Sequence, residues 1–183
     1  MNTTRKVTNV SKITVCGVLI ALGVVLPQLS HIFGPQVSKV FLAMHFPVLI
    51  AGLFAGPAYG AIVGIITPVI SFFITGMPPV PMLYFMIVEL AVYGAAGGLF
   101  AILFKKYPVV GTYISLVLAM ILGRLAYVLV FTIFTGINSG NFVMLSSIVS
   151  LATGVPGVIL QIVIVPPIVL FLRHLFGRNR EII

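Results

Sequence analysis

FPVLIAGLFAGPAYGAIVGIITPVISFFITG, residues 46–76, carries no charged side chain from end to end. The one interruption is Ala55-Gly56-Pro57-Ala58, a turn signal that divides the stretch into two apolar helical runs. Runs of this kind, near the roughly 20 residues needed to cross ~30 Å of hydrocarbon, recur along the whole chain. Composition agrees: 61% of the 183 residues are hydrophobic and 7% are charged, far from the balance of soluble domains. The chain belongs in a bilayer, and no length is left over for a soluble domain.

Working outward from the turn, the sequence predicts an all-α integral membrane protein: a single domain, 1–183, built as a six-transmembrane-helix bundle. The helices are expected near 12–29, 40–55, 59–75, 82–104, 109–134 and 143–176. The connections between them are short, so successive helices should be antiparallel neighbours. Cationic loops are retained on the cytoplasmic side. With both the N and C termini cytoplasmic, Arg5, Lys6, Lys12, Lys105, Lys106, Arg173, Arg178 and Arg180 all lie inside and Lys39 alone lies outside. The net charge of +8 is thereby read as a set of topology determinants facing anionic lipid. No soluble basic surface exists to receive nucleic acid. The basic N-terminus precedes an apolar run, as in a signal peptide, but Val24-Val25-Leu26-Pro27-Gln28 offers no small-x-small cleavage site, so the first helix is expected to be retained. Cys16 is the only cysteine, sits in that helix and is read as packing.

Two charges fall inside the spans, Glu89 and Arg124. Counting from the external helix ends puts Glu89 about seven residues deep, Arg124 about ten and His45 about five, all in the outer half of the membrane. Burying a charge in hydrocarbon costs several kcal/mol, so such groups face the bundle interior, pair with one another or line a wet cavity. Two readings are open here and are compatible: an ion pair that fixes packing, or a pocket for a polar ligand. His45 by itself can satisfy its ring on a backbone carbonyl. Further candidates come from the external segments, His31, Gln36 and Lys39 before the second helix and Asn138 and Asn141 before the sixth, with Gln28, Ser30, Phe33 and Ser139 near them. Their amides and hydroxyls suit a small neutral or zwitterionic molecule, and loop solvation explains them equally well. Tyr84, Phe85 and Tyr127 stand at a depth where they can form aromatic walls.

Small residues recur at intervals of four: Gly17 and Ala21, Gly60 and Gly64, Gly94 and Gly98. That spacing lets helices approach closely in lipid. Pro68, Pro156, Pro166 and Pro167 are expected to kink or break the third and sixth helices. There is no phosphate-binding loop GxxxxGK[ST], no HExxH, no GxSxG and no Cys/His cluster with metal-ligand spacing. An enzyme needing paired carboxylates or a metal is poorly supplied, and ATP cannot be used by this chain directly.

The layout, the pair Gly17-Val-Leu-Ile-Ala21 and the segment 46–76 together resemble the substrate-binding S component of an energy-coupling factor (ECF) vitamin transporter. Within that segment LIAGLFAGPAYGAIVG is similar to the turn between the second and third helices of many members. The resemblance implies a high-affinity vitamin-binding subunit of an ATP-driven importer in the bacterial plasma membrane. Its ligand is bound from outside, beneath the loop SHIFGPQVSK, and released inward when the subunit topples on its partners. It also implies those partners: a transmembrane coupling subunit of the EcfT type and two ATPase subunits of the EcfA type, which use the ATP; no cofactor or metal is expected in this chain. Docking in the family uses an alanine-x-x-x-alanine motif on the first helix, here Gly17 and Ala21, with glycine in the first position.

The vitamin is open among several. Arg124 and Lys39 suit a carboxylate and point to pantothenate, whereas Glu89 suits a ring amine and points to hydroxymethylpyrimidine or pyridoxine. A self-sufficient secondary transporter or channel, and an intramembrane enzyme using Glu89 or His45, are the competing classes.

Overall fold

The computed structural model describes residues 9–32, 42–139 and 154–176, and all of its regular elements are helices. They are α1 (Asn9–Ile32), α2 (His45–Ala55), α3 (Pro57–Thr75), α4 (Met82–Leu103), α5 (Pro108–Ser139) and α6 (Val155–Leu175). Five of these are long and apolar enough to cross a membrane, while α2 has 11 residues and is not. At ~1.5 Å per residue it spans roughly 16 Å, about half the hydrocarbon thickness. Against the six spans expected, five helices among the described residues are thus of spanning length.

The reason lies in α2's first turn. A helix from Val40 would have placed Pro47 in its interior, where the ring clashes with the preceding turn and one hydrogen bond is lost. Starting at His45 puts Pro47 in the first turn, where no amide partner is needed. Leu42, with φ at 49°, makes the turn that leads in, and the His45 amide donates to the Leu42 carbonyl at 2.9 Å. Other boundaries move the opposite way. α1 gains residues at both ends, and α5 continues through Ser139, so the expected loop residues Asn138 and Ser139 belong to its last turn. The first part of the expected sixth helix, 143–153, lies outside the described residues.

α2 is the hub of the bundle. It packs on α1, α3, α4, α5 and α6, and ten of its 11 residues are buried. Around it, α3 is pressed against α4 along the glycine intervals noted above. A side chain on Gly60 would fall on the Gly94 carbonyl, one on Gly64 on the Leu90 carbonyl, and one on Gly98 on Gly56 and Pro57. Only hydrogen fits at this seam, which is how two helices gain dispersion contact where lipid gives no hydrophobic drive. Gly56, at φ 106°, makes the turn between α2 and α3 that a side chain would strain.

One end of the bundle is basic. Lys12 stands over the Tyr59 ring, 5.6 Å from its centroid, joining the starts of α1 and α3. Lys105 and Lys106 follow α4, and Arg173 lies in the last turn of α6. Arg173 turns inward: Nη2 donates to the Leu53 carbonyl at 2.7 Å and Nη1 to Thr112 Oγ1 at 2.9 Å. A residue read from sequence as a lipid-facing charge thus ties α6 to the C-terminus of α2 and the start of α5.

Candidate functional site

At the other end of α2, His45 meets the two intramembrane charges. Glu89 Oε1 lies 3.2 Å from Arg124 Nη1 and 3.5 Å from His45 Nε2, with the Glu89 and His45 side chains 3% exposed and Arg124 18% exposed. Glu89 is seven positions from the start of α4, roughly 10 Å along it. The three candidates from three helices are therefore brought together at one depth.

These contacts are ionic without being well-aligned hydrogen bonds. Glu89 Oε1, Arg124 Nη2 and both His45 ring nitrogens are buried without a hydrogen-bond partner among the described residues. Buried polar groups left in this way are costly unless something else satisfies them. The cluster therefore has both donors and an acceptor to offer a ligand. The α2 N-terminus opens at the same place and adds a partial positive field.

Tyr93 completes the cluster and was not singled out in the sequence. It stands four positions after Glu89 on the same face of α4, and its side chain lies within electrostatic reach of both Glu89 and Arg124. Its ring meets the His45 ring edge-on at 5.2 Å and lies against Gly123, where a side chain would collide with it. The signal was present as the Glu89/Tyr93 interval and as a glycine next to Arg124, but a tyrosine in an apolar run looks like packing. Gln161 is the second omission: it is 1% exposed on α6, with both amide atoms unpartnered among the described residues.

The remaining candidates separate. Tyr127 packs with Phe85, Phe131 and Phe134 into an aromatic block one turn above the ion pair on α4 and α5. Tyr84 faces away from the bundle at 56% exposure and does not stand beside the cluster. Gln28, expected near the external loop, lies within α1 with its amide nitrogen buried and unpartnered among the described residues. His31 and Asn138 fall in the last turns of α1 and α5, while Gln36, Lys39 and Asn141, with most of the expected lid, lie outside the described residues. A side chain at Gly154, just before α6, would meet Arg124 Nη2 and Leu42, so the turn into α6 closes over the guanidinium. Arg124 also lines a groove of about 320 Å³ between α5 and α6, whose other walls are aliphatic: Val117, Met120, Ile121, Leu125, Val128, Val158 and Ile162. No group of three metal-ligating side chains occurs among the described residues.

Gly17 and Ala21 behave unlike the other small pairs. Both are exposed, and nothing lies within 4 Å of where a side chain on Gly17 would begin. With Ile13, Val18, Leu22, Val25 and Leu29, also exposed, they form an outward apolar face of α1, while Cys16, Leu19 and Val24 face the bundle.

Apolar helices around a short central one, with an ion pair buried among them, define a multi-pass membrane protein. A family model described as the substrate-specific component of ECF transporters matches residues 11–169, and the chain belongs to that family. No curated protein and no solved structure matches it. Membership makes the chain a substrate-binding subunit that associates with an ECF module of coupling and ATPase subunits.

Proposed function

We propose that the chain captures a water-soluble vitamin from outside the cell at the Glu89, Arg124, His45 and Tyr93 cluster and delivers it inward on docking to its coupling subunit. The observation that carries this reading is Arg124: a half-buried guanidinium only partly matched by Glu89, with Nη2 unpartnered among the described residues, at the mouth of the central helix. The basic end is cytoplasmic in this reading, as cationic retention requires, and the cluster then lies in the outer half of a bacterial plasma membrane. Six helices in all, with both termini inside, complete the topology. The exposed Gly17 and Ala21 face of α1 is the docking surface, and two ATPases supply the work through the coupling subunit.

Pantothenate is the vitamin this site suits best, since its carboxylate matches the free edge of Arg124. Hydroxymethylpyrimidine or pyridoxine is the second reading, favoured by the unpartnered Glu89 Oε1, which accepts from a ring amine or hydroxyl. Mass spectrometry of the small molecule that co-purifies with the detergent-solubilised protein tests both. A vitamin bound to wild type and absent from Arg124→Ala supports the site and names the substrate. A vitamin retained by that variant moves the site away from Arg124.

A further inference from the structure

The charges of the cluster cancel before any ligand arrives. Glu89 and Arg124 form one ion pair, and a neutral His45 adds nothing. Yet two features favour an anion, the Arg124 Nη2, partnerless among the described residues, and the α2 N-terminus, and the aliphatic groove that starts at Arg124 between α5 and α6 can take a ligand's non-polar remainder. An added negative charge in so dry a site is costly unless something balances it.

His45 is placed to do so. It is buried, both ring nitrogens lack a hydrogen-bond partner among the described residues, and Nε2 points at Glu89 from 3.5 Å. Among the described residues, the titratable groups facing it are Glu89 and Tyr93 from α4 and Arg124 from α5. The other titratable groups of α1, α3 and α6 among the described residues are Lys12, Cys16, Tyr59, Arg173 and His174 toward the basic end, with His31 in the last turn of α1 at the opposite end. We infer that the ligand is a small acid whose anionic group sits on Arg124, and that each molecule bound brings one proton onto His45. The proton comes from bulk water and adds to an imidazole nitrogen; no bond in the ligand breaks. One ion pair becomes two, ligand with Arg124 and Glu89 with imidazolium, and the site stays neutral. Affinity is then greatest at low pH and falls as pH rises.

The inference rests on the cluster being the substrate site, and the test separates the two. Calorimetric titration of the purified protein, in buffers of different ionisation enthalpy, uses three acids (pantothenate, nicotinate, biotin) and three neutral compounds (pantothenol, pyridoxine, hydroxymethylpyrimidine). An acid should bind with uptake of about one proton, its affinity falling as pH rises, by up to about tenfold per pH unit. His45→Gln should abolish the proton uptake. So should Glu89→Gln, because the ligand's charge then balances Arg124 unaided; a purely structural His45 would leave the proton count of its variant unchanged. Binding of an acid with no proton uptake, or tight binding of a neutral compound alone, overturns the inference and leaves the substrate-binding function standing. Failure of all six to bind overturns the vitamin site, and the inference with it.

Discussion

Arg173 illustrates how far a single side chain can depart from what its position in the sequence announces. In an apolar chain its charge reads as a membrane-boundary mark, but the guanidinium instead satisfies the Leu53 carbonyl and Thr112. Arg173→Ala removes the donors and should cost about 1–3 kcal/mol. Thermal unfolding in detergent should register this as a drop of several degrees, with Arg173→Lys in between because an ammonium cannot reproduce the planar fork. Glu89, Arg124 and His45 were legible from sequence for the reason that Arg173 was misleading: a charge in an apolar run must find a partner, but sequence does not say which. Tyr93 and Gln161 were not legible, since an uncharged side chain in such a run has a packing explanation until its neighbours are seen.

Among the helices, the small-residue pairs look identical on paper and behave in two ways. Gly60, Gly64, Gly94 and Gly98 are consumed in the α3/α4 seam, whereas Gly17 and Ala21 face outward. Gly94→Leu should therefore prevent folding, seen as loss of the monodisperse peak in size-exclusion chromatography. Gly17→Leu and Ala21→Leu should fold and bind ligand as wild type does but lose partner-dependent uptake; reduced ligand affinity in either would place α1 in the binding site. The interval of four could not separate these cases, because it specifies that a helix face is smooth and leaves open what lies against it. Helix α2 was misjudged at its start for a related reason. Leu42 to Met44 is apolar enough to extend a helix, and the geometry of Pro47 and Leu42 limits it.

For the molecule as a whole, the apolar runs and their turns were enough to give an all-helical membrane bundle, because hydrocarbon leaves the backbone few alternatives. What they could not give was the arrangement around α2, which depends on side-chain fit across helices distant in sequence. Membership of the ECF family adds a dependence on partners. In vesicles, the chain alone should bind ligand without accumulating it, and accumulation should appear only when the coupling subunit, the ATPases and ATP are supplied; accumulation by the chain alone would make it a self-sufficient transporter. Helix α2, finally, touches the Glu89 and Arg124 ion pair through His45 at one end and is held by Arg173 through Leu53 near the other. Helices bend with radii of roughly 60–100 Å, so over ~16 Å α2 is in effect a straight rod. A displacement of His45 along that axis is carried to Leu53, so the buried cluster and the basic end of the bundle are joined through one short, stiff element.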